Sequence, residues 1–290
     1  MQNNNLISQY LNVSVPNVSD ALDRLGLAGS TENILPIYPC AKIAGPAATL
    51  KYVPHGVSEE STVLGTLKAI VHGGAGSILV VDASENPMVN SLGGVAGATA
   101  KHHGLLGCVT DGVVRDVDEY KIYGLPVYAR GVSQQSVRGR SSCAGYGIPV
   151  KLGGISVIPG DFILADENGT VVIPKAHLSA VLEFAQKVKA TEEKVIAAKK
   201  KTADSIVKVL NGSNWDEITL KHSEDPGSKD KGGVYEDFLE GDMVKEFGGY
   251  CATAPIGKIG VVKTDFGFHI IEVLERSSSN FPLVASVSIT

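Results

Sequence analysis

The chain has 290 residues, 43% hydrophobic and 20% charged, with a formal net charge of −5. This is the composition of an ordinary globular chain, long enough for two domains. The acidic balance argues against a non-specific nucleic-acid binder, which needs a basic footprint, and no run approaches the ~18 apolar residues of a membrane span.

The opening, MQNNNLISQYLNVSV, lacks the basic start and apolar run of a secretory leader. The four cysteines, Cys40, Cys108, Cys143 and Cys251, are too scattered for a CxxC pair. Together these point to a reducing, cytoplasmic setting.

Residues 16–20, PNVSD, lead into ALDRLG, a helix that Asn17 or Ser19 would cap and Gly26 would end. KIAGPAATLKYV reads as strands broken by Gly45-Pro46, and residues 58–72 as a helix. Residues 77–82, SILVVD, form a continuous apolar run, the pattern of a strand buried on both faces. Asp82 at its end is more simply a turn former than a ligand. Gly93-Gly94 is a turn, followed by a helix over residues 95–103, and residues 107–112 are a second buried strand. His102 and His103 on that helix point about 100° apart, so both cannot face one metal ion. His55 and His72 have no evident partners. LPVYAR, ISVIPG, DFILAD and TVVIPK are further short strands.

Residues 175–210 are rich in Ala, Glu, Lys, Leu and Val with few breakers, which predicts one long helix or two in series, ended by Asn211-Gly212-Ser213. The lysines of KVIAAKKKTADSIVK read as a solvated helix face. Beyond them the chain has its own turn signals, such as Asp225-Pro226-Gly227 and Gly232-Gly233. The expected organisation is a domain over 1–190, a helical connector over 191–210, a second domain over 211–276 and a tail over 277–290.

One constellation in the first part carries chemistry. Gly94 is followed after twenty residues by Arg115-Asp116, and after two more by Glu119. A glycine turn at a helix N-terminus offers free N–H groups and the positive end of the helix dipole, which suits an anion. Arg115 can grip a carboxylate with two parallel hydrogen bonds. Asp116 is a hard oxygen donor suited to Mg2+ or Mn2+, directly or through water. Such an ion, chelated by a 2-oxo acid, stabilises the enolate through which retro-aldol cleavage and decarboxylation both pass. Glu119 is equally a supporting or a structural group.

ALDRLG, AKIAGPAATL, ILVVDA, GGVAGATAKHHGLLGCVTDGVVRDVDEY, LPVYARG and PGDFILADENGTVVIP occur in this order over residues 7–195. They resemble the 4-hydroxy-4-methyl-2-oxoglutarate aldolase family, which includes the regulator of ribonuclease activity A. The resemblance implies an α/β swivelling-type domain, a homotrimer and active sites at subunit interfaces. It implies that Arg115 binds the pyruvyl carboxylate of a small 2-oxo acid and that Asp116 sits at the metal. Gly94, Val95, Ala96 and Gly97 would supply backbone donors. One position departs: aldolases of the family usually carry an acid directly after the glycine matching Gly94, and here Val95 stands there. The acid arranges metal-bound water, so its absence favours oxaloacetate decarboxylation over aldol cleavage. It also keeps open a non-catalytic regulator acting on a ribonuclease-type partner.

HSEDPGSKDKGG, FLEGDMVKEF and VKTDFGFHIIEV, within residues 205–276, resemble a parvulin-type prolyl isomerase, an α+β domain that binds proline-containing peptides. The resemblance implies Met243 and Phe247 as the proline pocket, their i, i+4 spacing placing them on one helix face. His269 matches the family's central-strand histidine, and Asp225 the group that faces the amide. Catalysis there lowers the ~18–20 kcal/mol amide barrier without covalent chemistry. Two positions depart. Nothing before SIVKVLNG matches the first parvulin strand, which would leave strand edges unpaired; the β-prone PLVASVSIT is the candidate to fill that gap. Asp237 also stands where an aromatic is usual.

Overall fold

The computed structural model describes residues 2–210, 214–236, 238–276 and 282–289. They form two compact units divided between Lys189 and Ala190.

The first unit opens with α1 (Gln2–Leu11) and α2 (Val15–Arg24). Neither Asn17 nor Ser19 is the cap of α2. Ser14 is: its hydroxyl accepts the Asn17 N–H and its own N–H donates to Asn17 Oδ1, each at 3.1 Å. This reciprocal pair satisfies two donors that the first turn would otherwise leave open. Gly26, with φ +67°, follows the helix end in the left-handed conformation that glycine adopts without strain.

After the short β1 (Leu35–Pro36), KIAGPAATLKYV forms one twelve-residue strand, β2 (Ile43–Pro54), and not two. Gly45-Pro46 marks a handover. Residues 43–46 pair antiparallel with β12 (Phe162–Asp166), and parallel pairing with β3 (Ile78–Asp82) begins at Ala47. Pro46 therefore precedes the ladder in which its missing N–H would be felt. Helix α3 (Thr62–Gly73), capped by Ser61, crosses from β2 to β3.

Two strand–turn–helix segments follow the same logic. β4 (Asn90–Leu92) leads to α4 (Gly94–His102), then β5 (Gly107–Thr110). β6 (Val113–Val114) leads to α5 (Val117–Tyr123), then β7 (Val127–Ala129) and β8 (Gly131–Val132). β9 (Ser141–Tyr146), the hairpin β10 (Val150–Leu152) and β11 (Ile155–Val157), and the pair β12 and β13 (Gly169–Ile173) complete the unit. The main sheet runs β1-β7-β5-β3-β2-β12-β13, with β9 also on β2. Its centre, β2, β3, β5 and β7, is parallel. A small parallel sheet, β4-β6-β8, lies beside it. β3 shows why its sequence is apolar throughout: Leu79 and Val81 enter one core with Ile70 and Tyr120, while Ile78 and Val80 enter another with Val109 and Ile163.

Helix α6 (Leu178–Val209) is one helix of 32 residues. Val181, Leu182 and Ala185 belong to a core of the first unit, and Ala203 and Ile206 to a core of the second. The proposed stop at residues 211–213 lies outside the described residues, as does Asp237.

The second unit contains α7 (Trp215–His222), β14 (Val234–Tyr235), α8 (Lys245–Thr253), β15 (Ile259–Thr264), β16 (Gly267–Arg276) and β17 (Pro282–Ile289). Its antiparallel sheet has the order β14-β17-β16-β15. The last strand is thus interior, paired on both sides, in line with the reading of PLVASVSIT as the segment that fills the gap. Among the described residues of the second unit no strand precedes Ser205, and residues 205–209 are helical; β17 takes the interior place that an absent first strand would leave. The pleat sends Ala285 and Val287 into one core and Val284 into the other. Among the described residues no helix is long and apolar enough to cross a membrane.

Candidate functional site

Two turns meet at one end of the small sheet. β4 and β6 pair in parallel, Leu92 beside Val114. The turn after β4 is Gly93-Gly94 and the turn after β6 is Arg115-Asp116. The amide of Gly94 donates to Asp116 Oδ2 at 2.8 Å, and Arg115 Nε lies 3.5 Å from the same oxygen. Asp116 has φ +59° and ψ +44°, a left-handed conformation costing a side-chain residue on the order of 1 kcal/mol. The bond from Gly94 offsets part of that cost.

Both glycines of this helix sit at close approaches. A Cβ on Gly94 would lie 2.0 Å from Glu119 Oε2, and one on Gly97 would lie 2.6 Å from the ring of Tyr120. Glu119 accepts the Tyr123 hydroxyl at 2.8 Å, which holds its carboxylate against the turn. Its position is that of a brace for α4.

A cavity of about 140 Å3 opens here, lined among others by Tyr52, Asn90, Gly94, Val95, Arg115 and Arg138. Tyr52 is buried and bonded to Thr66 and to the Ser91 carbonyl, which makes a rigid floor. In two of the residues lining it a buried polar atom lacks a hydrogen-bond partner: Arg115 Nε and Asn90 Oδ1. Arg115 Nε has only the Asp116 carboxylate beside it, and the rest of the half-exposed side chain can accept an incoming carboxylate. Val95 is 70% exposed at the rim. Gly94, expected to offer its N–H to a substrate, donates it to Asp116 instead. The amides of Val95 and Ala96 have no partner within the helix by its geometry.

Among the described residues no three His, Cys, Asp or Glu side chains converge as a metal cage. The donor set at this cavity is the Asp116 carboxylate, with Asn90, whose buried Oδ1 lacks a hydrogen-bond partner, also in the lining. One carboxylate and a neutral oxygen fit a hard ion that keeps most of its waters, as Mg2+ does. They do not fit a closed all-protein zinc or calcium site.

The remaining candidates of the first unit lie elsewhere. Asp82 accepts the N–H and hydroxyl of Ser84 and the Lys151 N–H, so it is a structural turn acceptor. His102 and His103 stack edge to face, 5.4 Å between rings, and both are exposed. His72 does have a partner, the ring of Tyr146 at 5.4 Å.

In the second unit Asp225, Met243, Phe247 and His269 line one cavity of about 310 Å3. Met243 is not on the helix with Phe247: it is extended and precedes α8. The two reach the cavity from a turn and from a helix. His269 is held at both ring nitrogens, by Thr264 at 2.7 Å and by Ser288 at 2.8 Å, with the Phe247 ring edge-on at 5.4 Å. Burial pushes its pKa down, against the pull of the Asp225 charge. Burial alone would raise the Asp225 carboxyl; hydrogen bonds from Ser228, Tyr235 and Gly227 outweigh it and hold it below the usual range. Asn90, Arg138 and Ser288 had no signal of spacing or motif; Asn90 lines its cavity from β4, Arg138 from the segment before β9, and Ser288 from β17 beside His269.

The RraA-like family model, described as Aldolase/RraA, matches residues 15–172, and a PPIC-type prolyl isomerase domain model matches residues 166–277. A Legionella pneumophila protein, DlpA, is 32% identical over 197 residues, 67% of this chain; the match spans only 31% of DlpA. A Halalkalibacterium halodurans protein named "Putative 4-hydroxy-4-methyl-2-oxoglutarate aldolase" is 32% identical over 187 residues, 64% of this chain and 85% of that protein. The structure of Streptomyces coelicolor RraAS2, titled an unusual member of the RNase ES inhibitor RraA protein family, superposes with a TM-score of 0.59. It is 25% identical, over 66% of this chain and 95% of that one.

Proposed function

The chain belongs to the RraA-like, Aldolase/RraA family and carries a PPIC-type domain after it, and we propose that its first unit is a divalent-metal-dependent lyase acting on small 2-oxo acids. The observation that carries this reading is the half-exposed Arg115 side chain paired with Asp116 at the cavity.

In this reading Arg115 binds the substrate carboxylate, and the open amides at the start of α4 add donors with the helix dipole behind them. Asp116 holds the ion, its orientation fixed by the Gly94 N–H. A bound Mg2+ or Mn2+ supplies Lewis-acid polarisation of the keto oxygen. The Tyr52 floor and the half-closed wall limit water near the reacting carbon. Position 95 offers no group to take a proton. Decarboxylation starts without a base, so oxaloacetate is the better substrate than an aldol. The exposed apolar Val63 and Val95 at the cavity suit cover by another copy of the chain, in keeping with a homotrimer. The free cysteines suit a reducing cytoplasm.

The test is pyruvate release from oxaloacetate by the whole chain and by Arg115→Ala, with and without Mg2+. Metal-dependent release that the variant loses supports the lyase. Release no greater than the metal-alone background sinks it, and favours a regulator that binds a partner protein.

A second reading concerns the second unit. The fixed His269, the Asp225 anion and the apolar Met243 and Phe247 around one cavity support prolyl isomerisation or binding of proline-containing peptides. Acceleration of cis–trans exchange in an Ala-Pro peptide tests it.

A further inference from the structure

The cavity of the second unit has two chemically distinct parts. Its apolar part is made by Met243, Phe247 and Phe266, the last 64% exposed. At about 310 Å3 the whole is larger than a proline ring needs. Its polar part is made by Glu224, Asp225 and Asp242 together with His269 and Ser288. No lysine or arginine is among the described residues that line it.

The three carboxylates are not equivalent. Asp225 is tied into Ser228, Tyr235 and Gly227, which keep it an anion. Asp242 uses one oxygen to accept the Leu239 N–H at 2.8 Å. Glu224 and Asp242 are exposed. His269, whose pKa burial lowers, adds no compensating positive charge near neutral pH. A proline in the apolar part therefore sits beside a rim of one sign, and its neighbouring residue feels that field.

Resting on the prolyl-isomerase reading of this cavity, we propose that the second unit selects proline preceded by a basic residue, lysine or arginine, and rejects proline preceded by an acidic one. Apolar contact supplies binding to the ring, common to every X-Pro peptide. The carboxylates supply the discrimination between them, since a like charge placed against the rim is repelled while a cation is drawn in. Phe266 adds an exposed aromatic face to the same cavity, suited to a cationic side chain.

The experiment uses the full chain and three peptides differing only before proline: Lys-Pro, Ala-Pro and Glu-Pro. Exchange rates from NMR give kcat/KM for each, at low and at high salt. The expected order is Lys over Ala over Glu, with about tenfold between the ends at low salt and a smaller ratio at 1 M salt. In the Glu224→Gln, Asp242→Asn double variant the Lys/Glu ratio falls towards one. This ratio is insensitive to partial unfolding, because the active fraction cancels. Equal rates for the three peptides, or an unchanged ratio in the variant, overturn the proposal and leave the isomerase reading standing. No acceleration and no binding of any peptide overturns both.

Discussion

The amide of Gly94 and the carboxylate of Asp116 are joined by a 2.8 Å hydrogen bond that links two turns 22 residues apart. The bond seats a left-handed Asp116 and sets it beside Arg115. Asp116→Asn keeps an acceptor for Gly94 but removes the charge. The variant is expected to fold with wild-type circular dichroism and to lose metal-dependent pyruvate release by about 100-fold or more. Release within a few-fold of wild type would separate Asp116 from the chemistry.

Val95 sits at the cavity rim, 70% exposed, so a longer polar side chain meets no packing there. Val95→Asp is expected to raise aldol cleavage of a 4-hydroxy-2-oxo acid by about tenfold, the lower range of general acid–base assistance. Its effect on oxaloacetate should be smaller. Steady-state rates on both substrates decide; an equal change on both would mean that position 95 has no proton-handling role.

Gly94→Ala and Gly97→Ala differ in what the new methyl meets. At 94 it meets the end of the Glu119 side chain, which can swing away at the loss of its Tyr123 bond. Alanine's helix propensity nearly compensates, and the net change is expected within about 0.5 kcal/mol. At 97 it meets the ring of Tyr120, which is fully buried and cannot yield. There the expected loss is about 2 kcal/mol. Urea unfolding measures both, and equal losses would refute the distinction.

Removal of residues 277–290 takes a paired interior strand out of the second unit. It exposes the edges of β14 and β16 and opens both cores where Val284, Ala285 and Val287 were buried. Trp215, the single tryptophan of the chain, is buried in that unit with its indole N–H on Glu272. The truncated chain should show an exposed, red-shifted emission while the first unit unfolds as before. A native emission spectrum would show that β17 is dispensable.

Asp111 is 2% exposed, and its pKa is pushed up to about 6, chiefly by burial and also by the charge of Asp82. A carboxyl raised in the folded state favours folding while protonated. That contribution is full below about pH 4, the unfolded value, and is lost as pH rises through about 6. The two-unit shift corresponds to about 3 kcal/mol. Asp111→Asn keeps an acceptor for the Ala83 N–H and is expected to flatten the fall in stability between pH 4 and 7. Parallel wild-type and variant profiles would remove Asp111 as the cause.

Local chemistry was legible in the sequence wherever one segment carries its own constraint. SILVVD announces a strand buried on both faces because every residue is apolar, and β3 fills two cores with alternate side chains. Gly93-Gly94 is visible as a turn with free donors and Arg115-Asp116 as a charged pair, each being a property of adjacent residues. The capping error is of another kind: Ser14, Asn17 and Ser19 are all competent caps, and the packing of Val15, Val18 and Leu22 into the core chose where the helix begins. Met243 and Phe247 likewise share a cavity without sharing a helix.

The chain order of residues thus determined its apolar strands, its glycine turns, the long helix and the kinship of both halves. Tertiary structure alone decided which distant groups meet. Arg138 and Asn90 line the Arg115 cavity from other segments of the chain, and Ser288 reaches His269 across the β16–β17 pair. PLVASVSIT is β-prone in any setting; what made it the central strand is that β14 and β16 each present a hydrogen-bonding edge and two apolar faces to it. A strand's place in a sheet is set by partners that its own residues do not contain.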